Sequence, residues 1–205
     1  MVMSQQAQSE ELLGRAAIAD LIQRERAARD AASWDEMSLY YHPDSMVDVA
    51  WFRGRGEEFV RATQKNWRTD AMNFHEMGSA AVTINKGRAI AETACTLHGF
   101  YRLNGIDVTS TGFVRLLWRA QRLEDRWLVA GLRSVYIRDL LQPCNPSQRL
   151  VLDEVELSTY RPSYRYLTYT LKYLGRKPSH DLPGFDRPDS VTALREAERL
   201  WLEQA

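Results

Sequence analysis

Four long β-prone runs in direct succession constrain this chain more than any other feature. They span His75 to Ile84, Arg88 to Leu103, Val108 to Arg122 and Arg126 to Asp139. Asn85-Lys86-Gly87, Asn104-Gly105 and Glu124-Asp125 separate them. Asn-Gly between alternating runs is the strongest short hairpin signal, so the runs read as an antiparallel meander. The chain before them is helical in texture. From about Glu10 to Ala32, Leu13, Ala17 and Leu21, then Ile18 and Ile22, recur at helical spacing against a face of Arg and Glu. Ser33, with Glu36 three residues on, reads as the N-cap of a shorter helix that ends before His42-Pro43. The run MVDVAWF is β-prone and stops at Arg53-Gly54, and Glu57 to about Trp67 reads as a third helix. Helices followed by a meander predict an α+β fold: a cone-shaped, curved antiparallel sheet wrapped around the N-terminal helix, with two further helices. Such a cone encloses a pocket for a small ligand.

This cone is expected over residues 10–141. A C-terminal helical extension, 142–205, follows the linker Gln142-Pro-Cys-Asn-Pro-Ser. It is rich in tyrosine and then proline, and closes with a helix from about Ser190 to Leu202. Tyr166, Tyr169 and Tyr173 share a helical face, which predicts packing on the body or on a neighbouring subunit. The residues up to about Ser9 are polar and read as frayed.

Charge and composition narrow the function. Lys+Arg and Asp+Glu are equal at 27 each, which removes the basic excess that nucleic-acid binding draws on. No apolar run approaches the roughly 20 residues of a membrane span. The opening MVMSQQAQSEELLG has neither the basic start nor the apolar stretch of a secretion signal. Cys95 and Cys144 form no CxxC pair, and a reduced cytoplasmic setting is expected. Metal clusters, P-loops and GxGxxG loops are missing from the sequence, so no cofactor is expected.

Few residues can then carry chemistry. Of the four histidines, His42 precedes a proline in a turn and His180 lies in the Pro-rich extension, so both read as surface or linker residues. His75 opens the first meander strand. His98 sits mid-strand and shares a face with Thr96 and Phe100 by two-residue alternation. If that face is the cone interior, His98 is either a satisfied core residue or a base. Asp30 ends the first helix, where its charge opposes the helix dipole; a residue that breaks a local rule is a candidate for function. The alternative is a surface Asp paired with Arg26 or Arg29. Arg115 lies in an apolar strand beside Phe113 and Leu117, and an inward Arg there would need an anionic or phenolic partner. Trp51 suits the wall of an aromatic pocket or an ordinary core, and Arg133 is a weaker candidate of the Arg115 kind.

The pieces RAAIADL, ARDAASWDEM, NFHEMGSAAV, TLHGFYR and DRWLVAGLRS, in that order, resemble the SnoaL-like branch of the nuclear transport factor 2-like superfamily. The resemblance covers roughly Leu12 to Asp139. Catalytic members of that branch include scytalone dehydratase, lindane dehydrochlorinase and a bile-acid dehydratase. It implies that Asp30, His75 and His98 occupy catalytic positions, with Asp30 orienting one imidazole, His98 first. Arg115, Trp51, Phe113 and Phe100 would bind substrate. Departures count against scytalone itself: Arg29 stands where that enzyme has a tyrosine, Trp51 lies near where it has another tyrosine that helps hold a water, and Arg115 lies about where it has a small amide. The stretches YRPSYRYLTY and DLPGFDRP are similar to tails on SnoaL-like proteins of aromatic-degrading bacteria, among them a lyase that removes formaldehyde from lignin-derived diarylpropanes. The implied activity is a cofactor-independent lyase that eliminates water or formaldehyde from a small phenolic, possibly diaryl, substrate. A homo-oligomer, dimer or trimer, is implied as well. Two other readings share the fold: a non-catalytic accessory subunit of a ring-hydroxylating dioxygenase or ligand-binding protein, and a polyketide cyclase or isomerase.

Overall fold

The computed structural model describes residues 5–205. The first helix, α1 (Gln5–Asp30), begins earlier than the frayed start expected from the sequence; Met1 to Ser4 lie outside the described residues. Its apolar stripe buries Ile18, Leu21 and Ile22 in the main core. The helix closes with Ala32 in the left-handed region (φ 57°) and the Ser33 N–H donating to the Ala28 carbonyl. That is a Schellman-type stop made without glycine, at a backbone cost of about 1–2 kcal/mol. It fixes where Asp30 points. The short α2 (Trp34–Ser38) follows, with Ser33 at the N-cap position but making no side-chain capping bond.

The predicted β-run is two strands. β1 (Tyr41–Val49) and β2 (Phe52–Arg55) form a tight antiparallel hairpin whose turn carries Ala50 and Trp51. His42 is therefore a strand residue and buried, its Nδ1 accepting the Asp44 N–H, rather than a turn residue at the surface. α3 (Gly56–Lys65) comes next. The meander is β3 (Met72–Asn85), β4 (Arg88–Leu103), β5 (Ile106–Leu123) and β6 (Arg126–Pro143). The six strands form one mixed sheet, in the order β2-β1-β6-β5-β4-β3, in which only β1 and β6 run parallel. Lys86, Asn104 and Glu124 each take positive φ at the predicted turns. The sheet's inner face packs on α1 and α3 in the main core, around Trp118, Phe59 and Met37.

The extension covers both faces of the sheet. α4 (Glu154–Ser158) and α5 (Arg165–Tyr173) lie toward the cone's open end, and α6 (Pro188–Glu203) crosses the outer face. There Val191 and Leu194 of α6 bury Leu117 and Val135. α5 packs through Thr168, Thr170 and Leu171 rather than through its tyrosines alone. Tyr169 joins a small cluster with Tyr101, Leu103 and Val108, while Tyr173 is exposed. His180 is exposed, its ring stacked on Tyr160. No helix among the described residues is long and apolar enough to cross a membrane.

Asp139 ties α5 to the sheet. It is buried, and its Oδ2 accepts the Leu167 N–H at 2.7 Å, in the first turn of α5. Burial pushes its carboxyl up to about 6, against the backbone bonds that favour the charge. A raised folded-state value stabilises the protein fully below the unfolded value of 3.8, and that contribution is lost as pH rises toward 6. Asp139→Asn keeps an acceptor for Leu167 and removes the ionisation. Its Tm is expected to exceed the wild type's at neutral pH by the equivalent of at most about 3 kcal/mol, from two pKa units at 1.36 kcal/mol each. Thermal melts across pH check this: the difference should vanish at acid pH.

Candidate active site

A cavity opens between the end of α1, the β1–β2 turn, the mouth of the sheet and α5. Its free volume is about 110 Å³. A cavity of roughly 150 Å³ holds benzene, so this smaller space takes at most one ring. The sheet contributes a mostly apolar wall that includes Leu97, Gly99, Val114, Leu116 and Leu132. Trp51 and Phe59 form an aromatic side, and Leu167 and Leu171 of α5 close the top. One reason for the space is local: Gly99 and Ser110 are small residues that pair across β4 and β5.

His75 and Asp30 meet at the cavity's polar end. His75 Nδ1 lies 2.9 Å from Asp30 Oδ1, and the His75 backbone N–H donates to Asp30 Oδ2 at 2.6 Å. β3 and the stop of α1 thus hold one carboxylate against both the ring and the backbone of one histidine. Arg29 Nη1 donates to Asp30 Oδ1 at 2.8 Å and to Asn73 Oδ1 at 2.5 Å. Burial pushes the Asp30 carboxyl up, but the hydrogen bond and charge of His75, with Arg29, outweigh it and hold the group at about 2. For His75, burial and then the Arg29 charge push the imidazole well below its ordinary value, against the pull of Asp30. The imidazole is therefore neutral at neutral pH. With Asp30 ionised, the proton sits on Nδ1 and is donated to the carboxylate. Nε2 keeps its lone pair and has no protein partner among the described residues. A buried, neutral imidazole oriented by a carboxylate is the arrangement of a general base.

The other predicted residues fall elsewhere. His98 points to the outer face of the sheet, opposite the cavity. Its ring stacks on Phe74 with centroids 4.8 Å apart, and its Nε2 lies 3.3 Å from exposed Glu76. Phe100 and Phe113 are on the same outer face and each is 39% exposed. Arg115 is there too, half-exposed, 3.9 Å from Glu92, which Arg195 of α6 also holds. Arg133 lies 3.6 Å from Glu198 of α6. The expected inner face of β4 and β5 is thus the outer one: Leu97, Gly99 and Tyr101 face the cavity. Of the substrate-binding candidates only Trp51 lines it.

Asn73, Tyr136 and Arg176 are not singled out by the sequence, and Arg29 is seen there only as a possible partner of Asp30 and as a departure from scytalone dehydratase. Tyr136 accepts the Ala50 N–H through its hydroxyl, and burial pushes that hydroxyl's pKa up. Arg176 follows α5 and lies over the Trp51 ring at 5.4 Å. Its one visible signal in the sequence is the cluster Lys172, Arg176 and Lys177 around Tyr173 in the C-terminal extension. Among the described residues no group of three His, Cys, Asp or Glu is placed to hold a metal ion, and Cys95 and Cys144 are free thiols.

Comparison with known proteins agrees with this architecture. A family model described as SnoaL-like domain matches residues 10–133. Pea pathogenicity protein 2 of Fusarium vanettenii is 25% identical over 179 residues, covering 85% of this chain and 77% of its own. That share exceeds the matched domain, so the similarity runs into the C-terminal extension. Among solved structures, a hexachlorocyclohexane dehydrochlorinase, LinA type 2, superposes with a TM-score of 0.57 at 12% identity, covering 72% of this chain and 99% of its own. A Novosphingobium aromaticivorans protein provisionally named scytalone dehydratase does so at 0.54 and 14% identity, covering 70% and 99%. Both likenesses are of fold.

Proposed function

Because this chain belongs to the SnoaL-like domain family, we propose that it is a lyase that uses the Asp30–His75 pair to eliminate water or formaldehyde from a small aromatic substrate. The observation that carries the reading is the 2.9 Å contact between His75 Nδ1 and Asp30 Oδ1 at the wall of an otherwise apolar cavity. A scaffold subunit has no use for a desolvated acid–base pair facing empty space, which counts against an accessory role.

In the elimination, His75 Nε2 takes a proton from carbon or from a hydroxyl. The electron pair released forms the new double bond, and the bond to the leaving group breaks. For water loss, the imidazolium returns its proton to the departing hydroxide. For formaldehyde loss, the hydroxyl's electron pair forms the new C=O, the C–C pair stays on the benzylic carbon, and that carbon takes the proton back. In either case the enzyme ends as it began. Asp30 stabilises the imidazolium while it exists and keeps the ring in one tautomer. The apolar wall excludes bulk water and strengthens both effects. The enclosed volume favours a single-ring substrate; a second ring would lie at the mouth, against α5.

Mass spectrometry of purified protein with hydroxylated single-ring and diaryl phenolics tests this. A product lighter by water or by formaldehyde, formed by the wild type and not by His75→Gln, is the expected result. A product of unchanged mass would mean isomerase or cyclase chemistry at the same pair. No product across the panel, with some compounds raising Tm, would mean binding alone and would reject the lyase reading.

A further inference from the structure

We propose that this cavity selects an aromatic carboxylate, its anionic group held between Arg176 and Arg29 and its ring against Trp51. The inference rests on the cavity being the active site proposed above and names the class of substrate it takes. The first argument is a charge inventory. Around the cavity's polar end, Arg26 is paired with Glu25, Arg29 with Asp30, and Arg68 with Asp70. Arg176 has no carboxylate within ion-pair distance among the described residues. Its guanidinium donates to the Asn66 carbonyl at 3.1 Å and lies over Trp51. The site therefore holds one cation more than it holds anions. Partial burial and the charges of Arg29 and Arg68 act against the Arg176 charge, so an incoming anion relieves a repulsion already present.

The second argument is an unmet donor. The Nε–H of Arg29 is buried and has no acceptor, although Arg29 lines the cavity. A buried guanidinium N–H without a partner carries the full desolvation penalty of that group. An anion beside the Arg29 guanidinium would offset it electrostatically.

The third argument is size. A polar recess of about 10 Å³ adjoins the cavity, and Arg29, Trp51, Asn73 and Arg176 line both spaces. Roughly 10–15 Å³ holds one water-sized group. That admits one carboxylate oxygen and is too small for a whole phosphate. A phenol would reach the same recess with one oxygen, but it carries no charge at neutral pH, since phenolic hydroxyls titrate near about 10. The recess also adjoins the base, since Arg29 Nη1 is 3.5 Å from His75 Nδ1. Neutralising Arg29 with a bound carboxylate would lift one of the charges that suppress the His75 imidazole. Binding of the right substrate would thereby strengthen the base that acts on it.

Isothermal titration at neutral pH with benzoate, benzamide and phenol tests the proposal on the whole protein. Benzoate is expected to bind saturably and about 10–100-fold tighter than benzamide, the range for hydrogen bonds to a charged partner. Arg176→Met keeps the apolar stem on Trp51 and should lose that preference, while Arg176→Lys should keep part of it; unliganded melting curves check that both fold. His75→Gln should still bind benzoate, so loss of turnover and loss of anion recognition are read separately. Equal affinity for benzoate and benzamide, or an unchanged preference in Arg176→Met, would overturn the proposal. Phenol binding that matches benzoate and tightens as pH rises would overturn it in favour of a phenolate.

Discussion

His75→Gln is expected to lower kcat/KM by about 10²–10⁴, the usual contribution of a positioned acid–base group. Asp30→Asn should fall in the same range, because it removes the carboxylate that sets the tautomer and balances the imidazolium. The two losses should not add: each single change disables the same pair, so the double variant should resemble either one. His98→Ala and Arg115→Ala are the internal controls. Both side chains lie across the sheet from the cavity, and neither change should move kcat/KM by more than about twofold, within the range of surface substitutions. The pH profile adds a signature that a purely structural role would not give. His75 sits well below the ordinary histidine value of 6.5, with burial and Arg29 as the causes. The kcat/KM profile should therefore show no acid limb at 6.5 and decline only in more acid solution. An acid limb at the ordinary histidine value, abolished by His98→Ala, would return the base to His98.

Sequence alternation points to His98 ahead of His75 for a physical reason. β4 carries apolar side chains on both faces, so alternation alone divides it into Thr96, His98 and Phe100 against Leu97, Gly99 and Tyr101 without saying which set is inside. The strand itself held the answer further along. Ala89, Ala91, Thr93 and Cys95 continue the Leu97 face, and all four are buried. Arg88, Glu92 and Arg102 continue the His98 face, and a row with three charges is the solvent side. The same test places Arg115 outward beside Arg119. His75 was ambiguous for another reason: β3 shifts register between Met77 and Ala80, so its alternation cannot be carried back from the apolar Val82 and Ile84. Hairpin chemistry gave no such trouble. The Asn-Gly turn and its two neighbours fall where the sequence put them, because turn geometry is set by a few local residues. Arg176 belongs to the opposite extreme. Its place over Trp51 depends on how a loop folds back over the cone, and nothing within the loop specifies that.

Glu25→Ala should be the most damaging single change to stability, by about 3–5 kcal/mol, the range for stranding one member of a buried ion pair. Glu25 is fully buried in α1. It accepts two bonds from Arg26 and one from the Tyr41 hydroxyl at 2.7 Å. Arg26 is enclosed as well, its guanidinium 5.4 Å from the centroid of Trp118 and 6.0 Å from that of Phe59. Removing the carboxylate leaves an unpaired buried cation and an orphaned phenol beside it. For a chain of this length, Tm should fall by about 6–20 °C in a thermal melt. Replacing both partners by apolar residues of similar bulk, Glu25→Met with Arg26→Leu, should recover much of the loss, because a buried pair rarely stabilises more than a packed apolar core. The pair would then be retained for a reason other than stability. Arg26 also lines the cavity, and its charge is one of those that lower the His75 imidazole. The stable double variant should therefore show its defect in the pH profile: with Arg26 gone, the acid limb should shift upward, toward the ordinary histidine value. A double variant as unstable as Glu25→Ala, or one with an unmoved pH profile, would separate this network from the site.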